Sequence, residues 1–150
     1  MPASWAQYLK DAEKAGATPW RQECSAYPLA VLSRDTENAA VVDIVAIRKD
    51  GEGEQVSTVR LVKRLKRSSF WDVGTTRDVP VSENTENRQT LKVAPGVPFI
   101  MRFSHRDRNG TSAFEVLPDS GGALSMTARN LEEVQRGIDE DYLAARRDKE

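Results

Sequence analysis

One cysteine, Cys24, and one histidine, His105, are all that 150 residues hold of either type, and their scarcity removes whole classes of chemistry. A lone thiol makes no internal disulfide and no multi-cysteine metal cluster. Cys24 therefore reads as a small buried apolar group. Catalysis that needs an imidazole has to run through His105, yet no serine stands in the G-x-S-x-G arrangement that a strained nucleophile elbow requires. Phosphate-cradling loops are missing too: GEGEQV lacks the lysine of a P-loop, and no G-x-G-x-x-G occurs. Nor does any apolar run approach the roughly 18 residues of a membrane span. The opening MPASWAQYLKDAEKAG carries charges where a secretory leader needs an apolar core. The expectation is a cytoplasmic chain with no membrane association, no catalytic residue, no cofactor and no metal.

What is present is an ordinary globular composition, 39% hydrophobic and 30% charged, at the length of one domain spanning 1–150. The net charge is −1, so the chain as a whole does not advertise a polyanionic partner. Its distribution is uneven. Arg60, Lys63, Arg64, Lys66 and Arg67 fall in one stretch without an acid, whereas Glu132, Glu133, Asp139, Glu140 and Asp141 gather near the end.

Periodicity gives the elements. Trp5, Tyr8, Leu9 and Ala12 recur at helical spacing behind Ser4, which predicts a helix over 4–15. A β-rich body over 26–129 follows. It starts with YPLAVLSR as a first strand, then AAVVDIVAIR, apolar on both faces and so central in a sheet. QVSTVRLVKRLKR fits strand and helix templates alike, and its β-branched start favours a strand with Val59, Leu61 and Leu65 on one side. Pro80 limits its neighbour to an edge strand or loop. Ala94-Pro95-Gly96-Val97 has the order of a type II turn. Asn109-Gly110 closes a two-residue hairpin, which sets Phe103 against Val116 and His105 against Phe114. ALSMTAR resumes a strand, and a helix over 131–146, capped by Asn130 with Glu133, buries Leu131, Val134, Ile138, Tyr142 and Ala145. Gly137 is a local weakness there or a place of close approach. The fold class expected is α+β: an antiparallel sheet, curled or doubled into a small sandwich, with both terminal helices packed on it.

Function is read from what remains. Asp43 interrupts an apolar strand and reads first as the partner of a nearby arginine, second as an acid–base group. His105, between Phe103 and Phe114 in the hairpin register, reads as packed rather than catalytic. The basic run 60–67 followed by Phe70 and Trp71 combines phosphate-pairing groups with stacking rings, and Arg102, Arg106 and Arg108 add charge on the hairpin. Strand cations of this kind also blunt exposed sheet edges. The primary expectation is a non-catalytic protein acting through a protein partner or a second copy of itself. The alternative is a nucleic-acid-binding domain using Arg60, Lys63, Arg64, Lys66, Arg67 and Trp71 with the hairpin arginines, and the third reading is a small enzyme of unknown reaction.

Overall fold

The computed structural model describes residues 3–19, 29–34, 38–67, 71–79, 93–108, 111–116 and 123–148. At 3–4, 29, 31–32, 105–108, 111–116 and 144–148 it describes the backbone alone. Trp20, Cys24, Phe70, Asn109-Gly110 and the stretch 80–92 lie outside the described residues, as does the side chain of His105.

The elements run α1 (Ala3–Lys14), α2 (Leu29–Arg34), β1 (Asn38–Lys49), β2 (Gln55–Lys66), β3 (Thr76–Val79), β4 (Pro98–Arg108), β5 (Thr111–Val116), β6 (Ala123–Ser125) and α3 (Ala128–Asp148). The strands form one antiparallel sheet in the order β3-β2-β1-β4-β5, with β6 also paired to β4. This is an α+β fold with helices flanking the sheet. β1 holds the centre because both its faces are apolar: Ala40, Val42 and Ile44 are buried on one side, Ala39 and Val41 on the other. The hairpin pairs Phe103 with Val116, His105 with Phe114 and Arg108 with Thr111, the offset that a two-residue turn imposes. Gly96, at φ 86°, and the bond from the Val97 amide to the Ala94 carbonyl (3.1 Å) form the expected turn into β4.

Irregular pairing shapes the sheet. Between β1 and β2 the register slips where Val62 and Leu65 are extra residues on β2, and where Val45 is extra on β1. Each such bulge bends its strand and adds twist. The sheet consequently curls until its edge strands β3 and β5 approach one another. On its concave side lie Phe99, Met101, Phe103, Leu61, Val59 and Val79, covered by Trp71. The Trp71 indole meets Phe103 edge-on at 5.9 Å, and its Nε1 donates to the Thr75 carbonyl (3.2 Å). The other side packs Ile100, Val41 and Leu124 against Trp5 and Ala12 of α1 and Leu131, Val134 and Ile138 of α3.

Four sequence expectations change. Residues 29–34 of YPLAVLSR form helix α2 rather than a strand. Ala30 and Ser33, three apart and both buried, sit against Gly137, so tertiary packing overrides the β-propensity of the run. The ALSMTAR strand stops at Ser125, and α3 begins three residues earlier than its apolar stripe suggests. Thr127 is its cap, with Oγ1 accepting from the Asn130 amide (3.1 Å), while the Asn130 side chain turns inward to donate to the Ser125 carbonyl and hydroxyl. Tyr142 is exposed, not buried: among the described residues the helical-face core ends at Ile138 along α3, and the side chain of Ala145 lies outside them.

Gly137 is the point of closest approach. A Cβ built there would stand 2.1 Å from the Ala30 carbonyl oxygen and 2.9 Å from the Arg34 amide nitrogen. Alanine would improve helix propensity by about 1 kcal/mol, but overpacking against fixed backbone costs about 1–3 kcal/mol or more. Gly137→Ala is expected to lower the urea midpoint by a net destabilisation of about 2 kcal/mol. On the β3 edge, the Thr58 hydroxyl first and the Arg48 guanidinium second hold Asp78 below the ordinary carboxylate range. The folded-state value is thus the lower one, so this contribution is complete above the ordinary aspartate range and fades as pH falls through it. Asp78→Asn should flatten the acid limb of the stability curve by less than about 1 kcal/mol, the ceiling for a solvent-screened pair.

Candidate functional site: a cleft beside the basic strand

The bulges decide where each cation of β2 goes. Residues paired directly across a sheet share a face. The pairings Arg60-Asp43-Pro98, Lys63-Val41-Ile100 and Lys66-Ala39-Arg102 therefore form three successive rows on the helical face. Leu61-Val42-Phe99 and Arg64-Ala40-Met101 form the intervening rows on the concave face. A three-residue spacing, impossible to keep on one face of a regular strand, is accommodated because Val62 and Leu65 are inserted between the cations. This also corrects the expectation that Leu61 and Leu65 share a side: Leu61 packs in the concave core and Leu65 against the helical one.

Each row has its own chemistry. Arg60 grips Asp43 with two parallel bonds, Nε to Oδ1 at 3.2 Å and Nη2 to Oδ2 at 2.6 Å. That hydrogen bond, and the Coulombic attraction after it, raises the Arg60 guanidinium above its ordinary value. Arg64 donates through Nε and Nη2 to the Trp71 carbonyl (3.2 and 2.6 Å), holding the segment that lids the concave core. The Lys66 side chain is 2% exposed; Nζ donates to the Arg34 carbonyl at the end of α2 (2.9 Å) and meets Asp141 of α3 at 2.9 Å. At the far end of that row Arg102 is buried as well. Lys63 places its ammonium 5.3 Å from the centre of the Trp5 ring, which Tyr8 in turn braces edge-on.

Beside Lys63 the row opens into a cleft. Trp5, Lys63, Arg64, Leu65, Leu131, Glu132 and Gln135 line a volume of about 420 Å³ between α1, β2 and the first turns of α3. Cavities of roughly 300–1,000 Å³ hold a small ligand or the anchoring side chains of a partner. Trp5, Leu65 and Leu131 supply an apolar floor, and the charges stand on opposite walls: Lys63 on the strand and Glu132 on the helix, while Arg64 borders the cleft with its guanidinium turned to the Trp71 carbonyl on the other face.

The sequence-derived candidates thus separate. Lys63 and Arg64 line the cleft; Arg60 and Arg67 are exposed, Arg67 in a left-handed conformation at φ 49°; Lys66, Arg102 and Trp71 are interior. A tryptophan 1% exposed and edge-on to Phe103 presents no face for stacking a base. Arg106 and Arg108 follow Arg102 along β4, and their side chains, like that of His105, lie outside the described residues. Trp5, Leu131, Glu132 and Gln135 were not candidates from sequence, where Trp5 and Lys63 are too far apart for their stacking to register. Among the described residues no helix is long and apolar enough to cross a membrane. Comparison with protein-family models, with curated proteins and with solved structures gave no match.

The buried lysine separates structural from surface cations. Lys66→Ala strips partners from the Arg34 carbonyl and Asp141 and should cost about 3 kcal/mol in urea unfolding. Arg67→Ala, at an exposed position a residue away, should change stability by less than about 0.5 kcal/mol.

Proposed function

We propose that the protein is a non-catalytic binding module that docks a segment of a protein partner, or of a second copy of itself, in the cleft lined by Trp5, Leu131 and Gln135. The observation that carries this reading is the cleft itself: an apolar floor under a rim of mixed charge, with a braced tryptophan at its base. Tryptophan is among the residue types that dominate protein interfaces. The disposition of the cations favours a protein partner over nucleic acid. Phosphate-backbone binding draws on several cations able to reach outward, and within 60–67 Lys66 is buried while Arg60 and Arg64 are held on Asp43 and the Trp71 carbonyl. Against the enzyme reading stands Asp43, whose two oxygens are both taken by Arg60. The cytoplasmic setting belongs to the same proposal and rests on the sequence alone.

Filling the cleft without touching the core tests this reading. Gln135 is exposed and bonds within its own helix to Asp139 (3.0 Å), so Gln135→Trp should fold normally while blocking the recess. Immobilised wild-type protein is expected to retain a protein from lysate of its native host at moderate salt, and the variant to lose it. Equal retention by both removes the cleft from the account. Retention of single-stranded oligonucleotide that collapses steeply with salt and with Lys63→Glu would replace it with the nucleic-acid reading.

A further inference from the structure

Resting on the cleft as the docking site, the geometry points to the chemistry of its occupant: we infer that the cleft takes a peptide segment carrying a bulky apolar side chain next to a carboxylate. The apolar side chain enters between Trp5, Leu65 and Leu131, and the carboxylate lies on the Lys63 ammonium.

Charge complementarity selects this occupant. Among the described residues Lys63 meets an aromatic face and no carboxylate within ion-pair distance, whereas Arg60 and Lys66, the cations of the adjoining rows, each have one. Lys63 is exposed at the rim, so a carboxylate reaching it keeps part of its hydration. Its attraction then adds to apolar burial without the desolvation cost of a sealed pair. Position over the Trp5 ring restricts the ammonium before binding, which lowers the entropy lost on engagement. Glu132, on the facing wall, repels an acidic group from the helix side and so fixes which way the segment lies. Gln135, beside it, can exchange hydrogen bonds with the backbone of an extended segment. A cationic peptide would meet Lys63 unfavourably, and a purely apolar one would gain nothing from the Lys63 charge.

The probes are two short capped peptides, one containing Phe-Asp and the other Phe-Asn, titrated into the full-length protein and followed in proton–nitrogen correlation spectra. The Phe-Asp peptide should move the Trp5 indole and Gln135 side-chain amide signals, and the Phe-Asn peptide should bind about fivefold more weakly, the difference an exposed ion pair supplies. In Lys63→Gln, whose retained signal dispersion would confirm folding, the two peptides should bind alike. Equal binding of both peptides to the wild type, with the same signals moving, overturns the carboxylate preference and leaves the cleft as a docking site. Shifts confined to other parts of the protein overturn the inference altogether, and the Gln135→Trp capture experiment then decides separately whether docking in the cleft stands.

Discussion

A lysine ammonium taken out of water has to be met by partners, and the placing of Lys66 organises the helical side of this protein around that requirement. Among its partners are groups from different elements, the last carbonyl of α2 and Asp141 of α3, so one buried charge ties the end of β2 to both. Ala39 of β1 lies between Lys66 and the buried Arg102, small enough to leave room for two long side chains across the sheet. The same helix that supplies Asp141 meets α2 at Gly137, where a close approach replaces a side chain. Leu131, Val134 and Ile138 add about 2 kcal/mol each by burial, which outweighs the ~1 kcal/mol that the glycine costs in helix propensity.

The two faces of the curled sheet carry different duties. The concave face is closed over Phe99, Met101 and Phe103 by Trp71, and Arg64 fastens that lid through the Trp71 carbonyl. On the helical face Ile100, Val134 and Ile138 are fully buried, and among the described residues a cleft opens between Trp5, Leu65 and Leu131 beside Lys63. The recess so left has an apolar floor and a charged rim, the features on which the proposed docking rests.

How far the sequence could be read depended on whether a signal was local. The hairpin register followed from Asn109-Gly110 and the alternation around it, and the turn at Pro95-Gly96 from backbone preferences of those two residues. The terminal helices followed from their apolar stripes. What stayed hidden depends on contacts between distant segments. The run 29–34 is helical because Gly137 receives it, a fact written more than a hundred positions away. The ambiguity of 55–67 between strand and helix had a physical source: two bulges impose a three-residue spacing, which imitates the helical period. That spacing also made the cations look like one patch, whereas the fold sends Arg60, Lys63 and Lys66 to one face and Arg64 to the other. The cleft needed Trp5 and Lys63 brought together, and no periodicity encodes that.

The central claim is that β2 buries Lys66 against the two helices and leaves Lys63 to the cleft. The most direct measurement is a double-mutant cycle on Lys66 and Asp141, using Lys66→Met, Asp141→Asn and the double variant in urea unfolding, beside a control cycle on the solvent-exposed pair Arg48 and Asp78. The account predicts a coupling of at least about 1 kcal/mol for the buried pair and under about 0.5 kcal/mol for the control. Coupling between Lys66 and Asp141 no larger than the control would contradict it, because the lysine would then be a surface charge like its neighbours.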